Sequence, residues 1–295
     1  MEHDTRPVNA APIAAHAPKK FVVPAGSWDC HSHVIGRPPA HPYVDEMIYI
    51  PHPVTPAEFT GMLDTVGVRH GVSVQTSVHG TDNRYLLEAL KQYPDRLVGV
   101  AVIDRKTTDA EIAAMQAAGV VGIRLWEGGG GVGMTDVDYL EGRCVELGWH
   151  MQICVVGERW LDLTPRLRKL RVPYVMDHMG WFTTAEGTQG KGFRGIVDLL
   201  RDDHAWVKLS GAFRLTLQGA PYADIVPFIE QLVAVAADRA VYGSDWPHVG
   251  IPERDKMPQV GDLLDLLAVA VPDAAVLKKI LADNPQRLYG GGLRK

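Results

Sequence analysis

The stretch Asp29-Cys30-His31-Ser32-His33-Val34 decides how the rest of the chain is interpreted. The residues before it, from Phe21 to Trp28, are predicted to lead into a β-strand. Alternate residues of a strand point to the same face, so His31 and His33 are predicted to lie side by side. Cys30 and Ser32 would then face the other way. Two adjacent imidazoles can hold a metal or face a substrate carbonyl, although a His-x-His pattern alone is more often structural.

The composition restricts the class of protein. The chain has 295 residues, of which 46% are hydrophobic and 22% charged, as in a globular protein of one large or two ordinary domains. The net charge is −5 and no basic block occurs, so nucleic acid is not an expected partner. No membrane segment or secretion signal is predicted. The three cysteines are scattered, which favours a reducing, cytoplasmic location without disulfides.

After the first strand, short apolar runs alternate with amphipathic segments. Seven further strands are predicted at 70–77, 97–103, 120–126, 150–156, 173–179, 205–211 and 240–246, with helices between them. The first helix should begin at the capping box Thr55-Pro56-Ala57-Glu58. Eight strands that alternate with helices predict a (β/α)8 barrel. A doubly wound open sheet is the competing fold, but no Gly-x-Gly-x-x-Gly motif follows the first strand.

The remaining segments complete the predicted domain organisation. Residues 1–20 are rich in alanine and proline and are predicted to form a flexible N-terminal arm, while 21–295 form the single barrel domain. Extra C-terminal helices over 272–289 are expected on the outside of the barrel. The long segment 36–54 exceeds an ordinary connection, and such loops are usually functional. The run Gly128-Gly129-Gly130-Gly131 is predicted to be a flexible loop.

Polar residues collect at the predicted C-terminal ends of the strands, where barrel enzymes carry their active sites. Each has a structural alternative: Arg124 could be a buried ion-pair partner, Asp177 a packing residue and Asp245 a cap. Taken together, they predict a functional cleft with converging titratable groups. The residues at this rim are His31, His33, Ser77, His79, Arg124, Asp177, His178, Lys208, Ser210, Arg214, Asp245 and His248.

The residue types indicate a hydrolytic reaction. An aspartate that faces imidazoles can act as general base toward water. Imidazoles, or a metal that they hold, can stabilise the oxyanion formed when water adds to a carbonyl. Arginines grip carboxylates through paired hydrogen bonds. Because no Gly-x-Ser-x-Gly motif occurs, water is the expected nucleophile, and the expected substrate is an ester, lactone or amide with at least one carboxylate.

Several motifs resemble the 2-pyrone-4,6-dicarboxylate lactonases and related sugar lactonases of the amidohydrolase superfamily. The matching stretches are Trp28–Val34, Val74–Asn83, Val175–Gly180, Tyr242–His248 and Asn284–Tyr289, so that the likeness extends from about residue 21 to near the end. The resemblance implies a lactonase with Asp245 as general base. It places His31, His33 and His178 around the carbonyl. The predicted substrate-binding residues are Arg124, Arg214, Ser77, His79 and Tyr49, with His248 added from its position at the rim.

Two departures from the dicarboxylate lactonases leave the identity of the lactone open. Strand five carries Cys154 where those enzymes place a tyrosine. The loop Trp126-Glu127-Gly128-Gly129 lacks the second basic residue expected there. Both positions would touch the substrate.

The sequence does not decide whether a metal takes part. His31, His33, His178 and Asp245 could bind one zinc or manganese ion. A two-metal site would need a carboxylated lysine on strand four and a histidine on strand five, where Arg124 and Cys154 stand. The resemblance favours no cofactor, with the imidazoles themselves as the oxyanion site.

Two other functions and the oligomeric state stay open. One alternative is a zinc-dependent decarboxylase of an aromatic or muconate-type acid on the same barrel. The other is a non-catalytic acid-binding protein, which would not need a base such as Asp245. The expected partner is a small carboxylated lactone, and a homo-oligomer is not excluded.

Overall fold

The computed structural model describes residues 5–294, which form a closed barrel. Eight parallel strands follow one another around a single sheet in chain order. The segment that follows the last strand meets the first strand through a bridge between Ser32 and Trp246. The strands are β1 Trp28–Ser32, β2 His70–Val74, β3 Leu97–Ala101, β4 Val120–Trp126, β5 His150–Cys154, β6 Tyr174–Met176, β7 Ala205–Leu209 and β8 Ala240–Tyr242. The predicted (β/α)8 barrel is confirmed.

Helices connect the strands and cover the outside of the barrel. They are α1 Pro56–Val66, α2 Arg84–Gln92, α3 Asp109–Ala118, α4 Val137–Leu147, α5 Arg159–Leu167, α6 Lys191–Leu199, α7 Ala212–Leu215, α8 Val226–Ala236, α9 Val260–Ala270, α10 Ala274–Lys278 and α11 Asn284–Tyr289. The capping box at α1 is present, because Glu58 N donates to Thr55 Oγ1 at 3.1 Å and Thr55 N donates to Glu58 Oε2 at 2.7 Å. No helix between residues 5 and 294 is long and apolar enough to cross a membrane.

Most strands begin where the sequence predicts but end two to four residues earlier. The polar residues at their ends leave the strand hydrogen bonds and turn into loops. After β6, for example, His178 adopts φ 50° and Met179 φ 55°. The backbone at these two residues is therefore no longer extended.

A separate apolar cluster fills the interior of the barrel, with side chains from six of the eight strands. Two of its members correct the sequence analysis. Cys30 belongs to this cluster, so the predicted alternation with His31 fails. Tyr289 of α11 is also a member, and its hydroxyl accepts a hydrogen bond from Gln152 Nε2 at 3.2 Å. The C-terminal segment therefore plugs the barrel with one side chain instead of packing only on its outside.

The described part of the N-terminal arm, from Thr5, packs on two loops of the barrel. Asn9 N donates to Ile50 O at 2.8 Å, in the loop after β1. Ile251 N, in the loop after β8, donates to Asn9 Oδ1 at 2.9 Å. Further along, Lys19 N donates to Asp265 of α9. The arm thus joins two loops at the same end of the barrel, and its flexibility in solution stays a prediction.

Candidate active site

A break in the strand pairing lies beside His31, in β1, and His33, which directly follows that strand. The register between β1 and β2 shifts between Asp29 and Ser32. The ring centres of His31 and His33 lie 5.0 Å apart in an edge-on arrangement, and His31 lies 4.7 Å from His178. An irregularity of this kind re-aims side chains near functional sites. It explains why the simple two-residue period places the histidines correctly but not Cys30.

Asp29 joins β1 to β8 and so fixes the position of the neighbouring rim residues. Its Oδ1 accepts hydrogen bonds from Ser244 N at 2.9 Å and His31 N at 3.1 Å. Its Oδ2 accepts one from the Ser244 hydroxyl. Asp245 N then donates to His31 O at 2.8 Å. Two buried backbone segments are therefore held together next to Asp245.

Asp245 lies at the centre of the histidine cluster. It adopts φ 63°, an uncommon backbone conformation for a residue with a side chain. Its Oδ1 lies 3.6 Å from His31 Nε2 and 3.8 Å from His33 Nε2, and its Oδ2 lies 3.9 Å from His178 Nδ1. Oδ2 accepts a hydrogen bond from Arg214 Nε at 2.6 Å. Within residues 5–294, the buried Asp245 Oδ1 and His31 Nε2 have no hydrogen-bond partner.

The surroundings keep Asp245 ionised and the histidines neutral at neutral pH. Burial raises the pKa of Asp245, but nearby positive charge, chiefly that of Arg214, outweighs burial and holds that pKa well below its usual range. Burial, assisted by Lys208, lowers the pKa of His31 to about 3. Burial and Arg124 lower the pKa of His33 to about 4. Burial also lowers the pKa of His178 well below its usual value.

Lys208 lies fully buried beneath this cluster. Its Nζ contacts Asp177 Oδ1 at 2.8 Å, Gln152 Oε1 at 2.7 Å and His31 Nδ1 at 2.9 Å. Burial lowers the pKa of Lys208, and Asp177 opposes that effect. Burial raises the pKa of Asp177, but Lys208 outweighs it and holds that pKa well below its usual range. The sequence analysis placed Lys208 at the rim but gave it no role, although a lysine inside an apolar barrel strand is itself a signal.

A cavity of about 230 Å³ opens above the cluster. Two cations and one carboxylate face it, namely Arg124, Arg214 and Asp245. Trp126 and Trp181 form an aromatic wall, with stacked rings 5.7 Å apart. The remaining lining residues are His33, Ile48, Tyr49, Thr76, Ser77, His178, Val249 and Gly250. The cavity therefore suits a small, flat, anionic molecule.

The two arginines present different edges to this cavity. Arg124 Nε donates to Asp177 Oδ2 at 3.2 Å, and its terminal nitrogens have no hydrogen-bond partner within residues 5–294. Arg214 donates to Asp245 and, through a terminal nitrogen, to Val249 O at 3.0 Å. Arg124 therefore does form the buried ion pair that the sequence analysis gave as its alternative role. This ion pair uses only Nε, so the outer edge of the guanidinium is available for an anion.

The structure brings most of the predicted site residues together, but three of them do not line the cavity. His31 is fully buried beneath it. His79 accepts a hydrogen bond from Gly36 N at 3.1 Å and donates one to Pro42 O at 3.0 Å, so that it holds the loop after β1. His248 is buried with its ring 5.3 Å from that of Phe213. The sequence analysis did not predict Trp126, Trp181, Thr76, Ile48 or Val249 as lining residues.

The glycine run after β4 is packed closely and is not an open loop. Gly130 has φ 76°, and a Cβ there would lie 2.3 Å from Ser77 O. Gly129 similarly approaches Glu46 O. Glycine is therefore required where this loop meets the wall of the cavity. The other departure, Cys154, is fully buried and does not line the cavity, and burial raises the pKa of its thiol to about 12.

Two groups of side chains within residues 5–294 have the types and spacing that could hold a metal: His31, His178 and Asp245, and Cys154, Asp177 and His178. In the first group, Lys208 Nζ contacts His31 Nδ1 and Arg214 contacts Asp245 Oδ2, but His31 Nε2 and Asp245 Oδ1 have no partner within residues 5–294. This group fits a metal only if His31 Nε2 carries a lone pair. In the second group, Lys208 contacts Asp177 Oδ1, and the raised pKa of the Cys154 thiol disfavours the thiolate that a metal needs.

The comparisons with known proteins agree with this geometry. A family model described as amidohydrolase matches residues 28–291. The chain belongs to the amidohydrolase family. This amidohydrolase is 37% identical over 284 residues to a 4-sulfomuconolactone hydrolase of Rhizobium radiobacter, with 95% of each chain covered. It is 33% identical over 282 residues to a 2-pyrone-4,6-dicarboxylate hydrolase of Comamonas testosteroni, with 92% of each covered.

A solved structure extends the comparison of this amidohydrolase. It is a probable 2-pyrone-4,6-dicarboxylic acid hydrolase of Acinetobacter baumannii with citric acid bound. The TM-score is 0.77 and the identity 26%, with 90% of this chain and 99% of that chain covered. The resemblance inferred from the sequence motifs is therefore confirmed.

Proposed function

We propose that this amidohydrolase opens a small lactone that carries at least one acidic group, by attack of water activated by Asp245. The observation that carries the proposal is the burial of the Asp245 carboxylate and the contacts of its two oxygens. Asp245 is a buried carboxylate with one oxygen tied to Arg214, while the other faces neutral imidazoles beside a cavity lined by arginines. An ionised carboxylate in that position can accept a proton from water.

The position of the attacking water follows from two acceptors. His33 Nδ1 lies 2.8 Å from Val74 O, and because a carbonyl oxygen only accepts, Nδ1 carries the proton. Its Nε2 therefore presents a lone pair 3.8 Å from Asp245 Oδ1. One water molecule can donate a hydrogen bond to each of these atoms. Its own lone pair is then directed at a carbonyl carbon in the cavity.

The reaction needs only water as co-reactant. The water oxygen bonds to the lactone carbonyl carbon while its proton passes to Asp245 Oδ1. The ring C–O bond then breaks, the leaving oxygen takes the proton from Asp245, and the new carboxylic acid releases its remaining proton to solvent. His178, which lines the cavity, would act on the carbonyl oxygen as negative charge develops there. Arg124 and Arg214 bind the acidic substituents, and Ser77 and Tyr49 line the same cavity.

The acidic nature of the substrate is supported independently. The names of the relatives contain a sulfonated and a dicarboxylated lactone, and the solved relative holds citric acid. Here the outer edge of Arg124 has no protein partner within residues 5–294. Carboxylate and sulfonate both offer oxygens to a guanidinium fork. We infer that the substrate carries one of these two groups.

We also infer that the reaction requires no metal. The inference is supported by the contact of Lys208 Nζ with His31 Nδ1, which leaves the proton of the neutral ring on Nε2, the atom that a metal beside Asp245 Oδ1 would use. His79 and His248 would act through the surrounding loops, since neither faces the cavity. A cytoplasmic location and a homo-oligomeric state stay predictions from the sequence.

A panel of lactones tests the function. It contains a carboxylated lactone, a sulfonated lactone and a neutral methyl-ester analogue, assayed in ¹⁸O-labelled water by ring absorbance and mass spectrometry. The proposal expects opening of an acidic lactone, with one ¹⁸O atom in the new carboxylate. Release of carbon dioxide would instead identify a decarboxylase, and binding without turnover would identify an acid-binding protein.

A further inference from the structure

Lys208 has three polar partners and no access to solvent. Its side chain is fully buried, and the three contacts of Nζ are 2.7–2.9 Å long. An ammonium group has three N–H donors and no acceptor. Asp177 Oδ1 can only accept, and so can Gln152 Oε1. The third N–H is therefore directed at His31 Nδ1.

The orientations of the partner groups support this assignment. The Gln152 amide is fixed because its Nε2 donates to Tyr289 at 3.2 Å, which leaves Oε1 toward Lys208. Asp177 also accepts from Arg124 Nε, as expected of an ionised carboxylate. A lysine paired at 2.8 Å with a buried, ionised carboxylate keeps its charge. Nδ1 of His31 is then an acceptor, and the single proton of the neutral ring lies on Nε2.

We propose that Lys208 is a positioning residue that fixes His31 as an Nε2–H donor, so that His31 and His33 carry opposite tautomers. His33 is held in the other form by Val74 O, with its proton on Nδ1. The space between these rings and Asp245 thus receives one N–H from His31 and one lone pair from His33. This proposal rests on the proposed function for its catalytic meaning, but the tautomers themselves do not depend on any substrate.

The opposite tautomers have a chemical consequence. A metal-binding His-x-His pair must present two lone pairs, as neutral imidazole ligands do. Here one ring presents a proton, with Nε2 3.6 Å from Asp245 Oδ1. His31 is therefore suited to donate toward Asp245 Oδ1 and so to orient the carboxylate that is proposed to accept the proton of water. By keeping the proton of His31 on Nε2, Lys208 prevents this nitrogen from acting as a metal ligand.

Nuclear magnetic resonance of the wild-type protein tests the tautomers directly. The full chain is labelled with ¹⁵N-histidine, and long-range ¹H–¹⁵N spectra are recorded at neutral pH. His31→Gln and His33→Gln variants assign the two rings. The proposal expects a proton on Nε2 of His31 and on Nδ1 of His33. A proton on Nδ1 of His31, or on both nitrogens, would overturn it, whether or not the enzyme opens lactones.

A Lys208→Met variant tests whether Lys208 sets the tautomer of His31. Without the ammonium group, His31 Nδ1–H can donate to Asp177 Oδ1, which lies 3.5 Å away, and Nε2 becomes a lone pair. The variant should show the switched tautomer and bind zinc roughly 10–100-fold more tightly than wild type, the range over which such outer partners alter metal affinity. An unchanged tautomer and unchanged zinc affinity in a folded variant would show that Lys208 is only structural. If the variant does not fold, the wild-type spectra decide.

Discussion

Arg214 Nε lies 2.6 Å from Asp245 Oδ2, so an arginine that lines the cavity also holds the proposed base. The contact leaves Oδ1 as the free oxygen of Asp245, which lies near His31 and His33. Arg124 has no such contact with Asp245. It is anchored on Asp177 instead. The two arginines should therefore differ in what their removal does to the reaction.

Replacing Arg124 by methionine should impair only substrates that carry the acidic group. Loss of one partner of a buried charged contact costs about 2–4 kcal/mol, which should appear in kcat/KM for the acidic lactone. The methyl-ester analogue should be affected much less. Steady-state kinetics on both compounds make the comparison.

Replacing Arg214 by methionine should lower kcat for both compounds, because Asp245 loses the partner that orients it. If Arg124→Met and Arg214→Met change the kinetics of the acidic lactone and the methyl ester in the same way, Arg214 does not orient Asp245. If wild type handles acid and ester equally well, no anion-binding site exists.

The N-terminal arm should strengthen substrate binding through a hydrogen bond of Asn9. Its Oδ1 accepts from Ile251 N next to Gly250, which lines the cavity. Asn9→Ala removes this bond, and a single hydrogen bond of this kind contributes about 1 kcal/mol. We expect a several-fold rise in KM with little change in kcat.

The matched control for the arm is Gln259→Ala. Gln259 Nε2 donates to Ala14 O at 2.7 Å and ties the same arm away from the cavity. This variant should leave KM unchanged while producing a similar small drop in melting temperature. Equal KM values in both variants and wild type would show that the arm has no influence on the site.

Stability should decrease as the pH falls from about 6.5 toward 4. Burial lowers the pKa of His31 and of His150 from 6.5 to about 3 and that of His33 to about 4. Their stabilising contribution is present above 6.5 and is lost as the unfolded chain takes up protons, by up to about 1.4 kcal/mol per pH unit for each histidine. Asp29 opposes this, because burial raises its pKa to about 6.

Urea unfolding at pH 7, 6 and 5 measures this dependence. The free energy of unfolding should fall across the series, since the buried histidines outnumber the single opposing aspartate. His150→Gln, which alters a residue outside the cavity, should make the fall shallower. A free energy that is constant or rises toward pH 5 would contradict the buried neutral histidines.

Removal of metal should leave the activity intact. The protein is dialysed against a chelator, analysed for bound metals and assayed with the lactone identified by the panel. Full activity at strongly substoichiometric metal is the expected result, because the proposed tautomer of His31 presents a proton and not a lone pair toward Asp245. Loss of activity that zinc or manganese restores would make His31, His33, His178 and Asp245 ligands instead.

The fold and the rim of the site could be predicted because both depend on local patterns. Alternating apolar runs and helices give eight strands, and the active site of such a barrel lies at their C-terminal ends. That rule alone selects His178 and Asp245, which are 67 positions apart by their numbers yet lie 3.9 Å apart. The family motifs in the sequence additionally predict that the reaction is the hydrolysis of a lactone.

The errors come from contacts that no local pattern encodes. Cys30 lies inside the barrel next to the register shift in β1. A prediction that alternates side chains strictly between two faces cannot anticipate such a shift. The direction of His79 depends on a loop that returns to Gly36 and Pro42. The role of Lys208 depends on partners 31 to 177 residues away. Strand tilt and register decide such pairings, and both are properties of the assembled barrel.

The most direct test of the account is the activity of Asp245→Asn on the acidic lactone that wild type opens. The substitution preserves shape but removes the proton acceptor, and a general base typically contributes ~10²–10⁴-fold in rate. We expect kcat to fall by that factor while circular dichroism stays unchanged. The exposed Asp203→Asn serves as the control and should retain wild-type kcat. A folded Asp245→Asn variant with near wild-type kcat would contradict the proposal that Asp245 activates the water.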